Sequence, residues 1–386
     1  MTSHRRSILI DARVNGLRGA HGLARSALKL TAHLGKSDDD LDLAVLINPA
    51  RPQIYPLSEL PAHAEVIETD IPLGAAHRCL ELARLIKKAN AAVMYVPYPT
   101  FTPLVRPCPV VMTLHDCTIE NSLAFAGGWI RQTWLRTATS TALRVAAAIT
   151  APTRASLAEI RRHYPHAPHA ALVPNGVDSW QFASVTEASV AAASERFRLP
   201  KRFVLTVGAH RPHKNHQTLV RALAQLPEHI SLVIVGYFDR GFSDPLPGLI
   251  AELGLSARVM LLPQVPEELL PAVYRAASVF AFPSLAEGYG IPVLEAMAAN
   301  VPVVMSDLHV LKEIAGTAAL TVPPLDVTGW ATAIGQLLGS PPLSASLTGA
   351  GQVVAADSTW ERGADTLLGL LSDVAMGRLP EAPPGR

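Results

Sequence analysis

Two carboxylates eight residues apart, Glu287 and Glu295, bracket a glycine-rich turn in the run Phe282-Pro283-Ser284-Leu285-Ala286-Glu287-Gly288-Tyr289-Gly290-Ile291-Pro292-Val293-Leu294-Glu295. Gly288 and Gly290, on either side of Tyr289, let the backbone approach a ligand closely, and Pro292 suits the first turn of a helix. Val293 to Ala299 read on as helix, so backbone N–H groups of its first turn point back at the glycines, where an anion is favoured. The carboxylates would repel a bare phosphate. A ligand carrying both phosphate and hydroxyl groups fits better, and a nucleotide sugar answers that description.

A second constellation, Val207-Gly208-Ala209-His210-Arg211-Pro212-His213-Lys214-Asn215, follows an apolar strand. Arg211 can grip a diphosphate through its planar fork and Lys214 as a point charge. Thr113-Leu114-His115-Asp116 ends another strand, with His115 placed to donate a hydrogen bond to a sugar or to orient an acceptor. Thr153 and Arg154 follow a third strand, Gly236 a fourth, and Gly19, Gly22 and Arg25 lie in a loop spanning Asn15 to Arg25. Each has a plain structural reading: a solvated basic turn, a satisfied histidine, a flexible glycine loop. Their shared position at the carboxyl ends of predicted strands, where open parallel sheets bind ligands, favours function. No His or Cys pairing has metal-ligand spacing.

Positioning these groups requires a particular scaffold. Strands are predicted at Ser7–Asp11, Leu41–Ile47, Ala92–Val96, Val110–Leu114, Ala146–Ala151 and Ala170–Val173, with a helix at Leu23–Leu34. A second series begins at Arg202–Val207 and continues through Ser231–Val235, Val259–Leu262, Val279–Phe282, Val303–Met305 and Ala319–Val322. Strands alternating with helical stretches imply parallel sheets covered on both faces. The expected fold class is therefore α/β, two doubly wound, Rossmann-like domains facing across a cleft. An N-terminal acceptor-side domain spans 1–180, a linker 181–200 and a C-terminal donor domain 201–376; the last helix is able to return to the first domain, and 377–386 form a disordered Pro/Gly-rich tail.

Composition agrees. A chain of 386 residues exceeds the size of a single core. A net charge of +1 gives no footing for nucleic acid. The odd set Cys79, Cys108 and Cys117 points to a reducing, cytoplasmic setting, and neither a signal peptide nor a long apolar run is read. One predicted helix carries Trp129, Trp134 and Ile130 with Arg131, Arg136 and Arg144. That spacing suits peripheral contact with an anionic membrane, though more often it marks a half-buried domain helix.

The Glu-x7-Glu element followed by Pro302-Val303-Val304 resembles the donor-site signature of glycosyltransferase family 4, retaining enzymes of the GT-B fold, over nearly the whole chain. The Gly208–Asn215 loop and Gly22-Leu23-Ala24-Arg25 are similar to two further family loops. His213, Ala24, Ser26, Pro263 and Asn300 depart from the usual residues. The His115-Asp116 pair looks like that of mannosyl- and rhamnosyl-type members. The resemblance implies a metal-independent hexosyl transfer, without a cofactor, from a GDP- or UDP-linked sugar to an oligosaccharide, glycolipid or small-molecule acceptor. Catalytic roles then fall to Glu287, His115, Arg211 and Lys214. Donor contacts fall to Glu295, Gly288, Tyr289, Gly290, Gly22 and Gly236, and acceptor or cleft contacts to Arg25, Asp116, Thr153 and Arg154. A non-catalytic nucleotide-sugar binding protein and a GT-B epimerase are the alternatives; the glycine spacing after the first strand speaks against a dinucleotide-dependent dehydrogenase.

Overall fold

A computed structural model of the chain describes residues 7–16, 21–37, 41–73, 76–98, 105–122, 125, 128–238 and 244–378. Gly19 and positions 379–386 of the expected tail lie outside them. The chain divides into two units, Met1–Gly176 with Trp360–Arg386, and Val177–Thr359.

In the first unit, strands β1 (Ser7–Asp11), β2 (Asp42–Ile47), β3 (Glu65–Glu68), β4 (Val93–Val96), β5 (Val110–Thr113), β6 (Ala148–Ala151) and β7 (Ala170–Leu172) form one sheet. Its order is β3-β2-β1-β4-β5-β6-β7, with every pairing parallel. The runs SILID, VMYV and VVMT are buried throughout, as a parallel sheet covered on both faces requires. The terminal helix Trp360–Ala375 joins this unit. It packs on the helix His21–Ser37 and buries Trp360, Leu367 and Leu371.

The second unit holds β8 (Phe203–Val207), β9 (Ser231–Val235), β10 (Val259–Leu262), β11 (Val279–Phe282), β12 (Val303–Ser306) and β13 (Leu320–Val322). The order β10-β9-β8-β11-β12-β13 reverses direction at β8, between β9 and β11. Its core gathers Val204, Leu219, Leu232, Ile234, Val279 and Trp330. A reversal of strand order opens a crevice beyond the strand ends, because the flanking loops diverge there to opposite faces.

Two elements differ from expectation. β3 is a largely exposed edge strand, Glu-Val-Ile-Glu, which shows no apolar face to read. The first helix begins at His21, so Gly22 and Arg25 belong to its opening turns and not to a loop. Among the described residues no helix is long and apolar enough to cross a membrane.

Candidate functional site

The two chemistry-bearing loops of the second unit follow β8 and β11, neighbours at the point where strand order reverses. After β8 the chain makes a 3-10 turn, Pro212–Lys214, that ends on Asn215 in the left-handed conformation (φ 53°). Asparagine tolerates that region, and here its side chain is also occupied. Asn215 Nδ2 donates to the carbonyls of Pro283 (3.0 Å) and Pro324 (2.8 Å), and Thr218 Oγ1 donates to its Oδ1 at 2.9 Å. Three loops are thereby stitched together. The Leu285 N–H adds a bond to the His213 carbonyl at 2.7 Å.

That stitching brings Lys214 to Glu287. Lys214 Nζ lies 2.6 Å from Glu287 Oε1 and 5.3 Å from the centre of the Phe282 ring, a charge-assisted bond with a cation–π contact beside it. Both side chains are mostly covered but retain some exposure, 18% and 11%. Arg211 is on the same turn, its carbonyl accepting from the Lys214 N–H at 2.9 Å.

Beyond Glu287, Gly290 starts the helix Ile291–Ala298 with φ +115°, and a Cβ there would sit 2.7 Å from Leu311 Cδ2. Glycine is required twice over, by conformation and by space. No side chain caps this helix start. The helix closes with the Val301 N–H on the Ala296 carbonyl and the Asn300 N–H on that of Met297, Asn300 being left-handed at φ 61°. This is a Schellman closure in which asparagine does what glycine usually does, and it accounts for that departure.

Glu295, one turn into the helix, is 3% exposed, and its Oε2 accepts from Tyr274 Oη at 2.7 Å. Tyr274 is fully buried on the helix Leu270–Ala276. Its ring lies 5.4 Å from that of Phe280, which stacks at 6.0 Å on Phe282 beneath Lys214. An aromatic column thus links the support of one carboxylate to the cation paired with the other. Sequence reasoning missed Tyr274, Phe282 and the role of Asn215; the available signal was one phenol inside the apolar stretch Leu270-Pro271-Ala272-Val273.

Gly236 has a reason of its own. A Cβ there would stand 1.9 Å from the Gly208 carbonyl oxygen, so close approach of the loops after β8 and β9 demands glycine whether or not a donor binds. Between them His210 Nδ1 meets Asp244 Oδ2 at 2.9 Å, and the buried His216 lies edge-on to His210. Burial, reinforced by the positive groups at His210, Lys214 and His213, pushes the His216 imidazole down to about 3.

The first unit carries a separate group at the ends of β4, β5 and β6. His115 Nε2 is 3.0 Å from the Pro97 carbonyl, which can only accept, so Nε2 bears the proton. Burial lowers its affinity for a second proton, and the neutral ring presents Nδ1 as an acceptor. The expectation that His115 donates to a sugar is corrected accordingly. Asp116 Oδ1 accepts from the Thr118 N–H at 2.8 Å, and Ser156 Oγ donates to the His115 carbonyl at 2.9 Å. Thr153, expected to reach ligand, is 1% exposed and caps the helix Arg154–His163 by accepting from the Ser156 N–H at 3.0 Å. Arg154 is exposed at the start of that helix, and Gly22 is exposed with open space around it. Ser26 Oγ binds Asn175 Oδ1 at 2.6 Å, tying the first helix to the Pro174-Asn175-Gly176 turn.

Two family models match in succession. Glycosyltransferase Family 4 covers residues 20–181, and Glycosyl transferases group 1 covers 190–353. The O-antigen chain mannosyltransferase B of Escherichia coli is 35% identical over 164 residues, 41% of this chain and 42% of that protein. A D-inositol 3-phosphate glycosyltransferase of Mycobacteroides abscessus is 35% identical over 219 residues, 55% of this chain and 48% of that one. The chain therefore spans less than half the length of either relative. Among solved structures, Anabaena HepE in complex with UDP and glucose superposes with a TM-score of 0.77 at 21% identity, over 95% of this chain and 100% of HepE. It shares the GT-B fold.

Proposed function

This chain belongs to the family 4 glycosyltransferases and has the GT-B fold, and on that premise we propose that it is a retaining hexosyltransferase working without a metal. It takes a hexosyl group, mannose-like in preference, from a nucleotide diphosphate sugar and passes it to an acceptor hydroxyl. The observation that carries this reading is the Lys214–Glu287 pair, held where strand order reverses and beside the uncapped helix start at Gly290. The mannosyltransferase relative supports the sugar, and the UDP and glucose held by HepE support the class of donor. The acceptor is an oligosaccharide, a glycolipid or a small molecule, and the cysteine usage supports a cytoplasmic setting.

Lys214 and Arg211 turn to the departing diphosphate, and the Gly290 helix start adds its dipole. Glu287, released from Lys214, holds sugar hydroxyls and opposes the positive charge that grows on the sugar. Glu295 holds the ribose hydroxyls. His115 Nδ1 accepts from a hydroxyl; its lowered basicity makes it a poor general base, which favours the leaving phosphate as acceptor of the proton and retention of configuration.

The test is a panel of GDP- and UDP-linked sugars. The right donor at a hundred times its Kd should add roughly 2.7 kcal/mol to stability. Proton NMR of the product from an α-linked donor should show an α-glycoside. A β-glycoside, an isomerised donor, or binding with no transfer to any acceptor would overturn the reading.

A further inference from the structure

We propose that the helix Trp129–Val145 docks the protein on an anionic lipid surface. This helix buries Thr139, Ala142 and Leu143 against its own unit. With about 3.6 residues per turn, the opposite face carries Trp129, Ile130 and Trp134 along with Thr133, Thr137 and Thr141. The three large apolar side chains are 68%, 67% and 55% exposed and, with Gly128 and Arg131, line one shallow groove. Single exposed apolar residues are ordinary, but two tryptophans and an isoleucine within one and a half turns form a patch.

Two observations select a bilayer as the occupant. Two of the three outward threonines direct their hydroxyls into the helix: Thr133 Oγ1 donates to the Trp129 carbonyl and Thr141 Oγ1 to that of Thr137, each at 2.9 Å. Such back-bonding lowers the polarity that the face presents outward. Arg131 and Arg136 flank this face on either side, and from 121 to 158 the sequence has four arginines and no carboxylate. The acids next to that stretch are engaged elsewhere, Glu120 with Tyr164 and Glu159 with Asn121. Indole rings at headgroup depth with guanidinium groups on either side match an anionic interface, whereas an apolar partner protein would leave the arginines without counter-charge.

The experiment is co-sedimentation of the full chain with vesicles of phosphatidylcholine alone and of phosphatidylcholine mixed with phosphatidylglycerol. Binding is expected only to the mixed vesicles and should decline as salt is raised. Arg131→Gln with Arg136→Gln should weaken it roughly twenty-five-fold, about fivefold per charge. Trp129→Ala with Trp134→Ala should weaken it further still while leaving the thermal melt unchanged. No binding to either vesicle, or equal binding to both without salt dependence, overturns the proposal. So does light scattering that shows a dimer dissolved by the tryptophan changes, since the patch would then be a self-association surface. Were the tryptophan variant misfolded, the arginine variant would still decide the outcome.

Discussion

Replacing Tyr274 by Phe removes one hydroxyl and leaves the ring between Phe182 and Phe280, at 5.9 and 5.4 Å. What is lost is the 2.7 Å bond to Glu295 Oε2. A buried hydrogen bond to a charged group is worth about 1.5–3 kcal/mol. A unit of this size melts roughly 2–4 °C lower per kcal/mol, so the variant should lose on the order of 3–12 °C. The same bond fixes the Glu295 carboxylate, which on the proposed reading holds the ribose. The ceiling on the binding effect is the ribose contact itself, about ten- to a hundredfold in Kd. A carboxylate that stays in place but turns freely forfeits part of that, and an intermediate loss of roughly tenfold in donor affinity is expected. Titration calorimetry with the donor and with its 2′- and 3′-deoxyribose analogues separates orientation from general damage. The penalty of Tyr274→Phe should shrink toward nothing on whichever analogue lacks the hydroxyl that Glu295 holds. Equal loss on parent and deoxy donors would refute the positioning role. Glu295→Ala serves as the reference: if that variant still distinguishes ribose from deoxyribose, the ribose assignment itself fails, whatever Tyr274 does.

Glu287→Gln should lower turnover about a hundredfold while tightening binding of the nucleoside diphosphate product, because Lys214 loses its competing partner; weaker product binding by calorimetry would contradict the exchange. Lys214→Ala and Arg211→Ala should each reduce activity, and the double variant should lose less than the sum, since both cations act on one diphosphate; strict additivity in kcat/KM would separate them. His216 is neutral when folded, its pKa of about 3 lying far below the unfolded value. As pH falls below the unfolded pKa of about 6.5, the unfolded chain gains a proton that the native state refuses, and stability declines by about 1.4 kcal/mol per pH unit. Urea titrations between neutral and mildly acid pH should show that slope and lose it in His216→Gln. Gly236→Ala places a methyl group against the Gly208 carbonyl and should destabilise by at least about 1–3 kcal/mol, visible as a lowered melt with or without donor.

Strand existence was legible wherever both faces are buried. Ser7–Asp11, Ser231–Val235 and Val279–Phe282 fall on the residues that their apolar runs predict. Glu65–Glu68 escaped because an exposed edge strand has no hydrophobic alternation, only pairing with β2. The start of the first helix escaped because His21 and Gly22 are weak helix signals. At the site, residue types were readable and distances were not. Glu287 and Lys214 stand 73 positions apart, and only the parallel pairing of β8 with β11 makes them neighbours. Tyr274 looks in sequence like any core aromatic. The protonated nitrogen of His115 is set by the Pro97 carbonyl, a backbone atom from another strand end that no motif encodes.

The two carboxylates of the Glu-x7-Glu element resemble each other in sequence, yet their surroundings assign them different work. Glu295 is enclosed, bonded to a phenol and carried on a helix, so it has one orientation and suits a contact present throughout the reaction. Glu287 stands at the rim on a loop and shares its charge with Lys214. Each member of that pair neutralises the other, which avoids leaving a lone cation beside a helix start. On the proposed reading, an arriving diphosphate separates the same two charges, Lys214 joining Arg211 at the phosphate and Glu287 turning to the sugar. Asn215 holds the three loops, and the Phe282 ring supports the ammonium group. Charges already placed where a transition state will need them lower its energy without reorganisation at the moment of reaction. The loop-stitching asparagine and the aromatic column thus position the charges on which the proposed transfer depends.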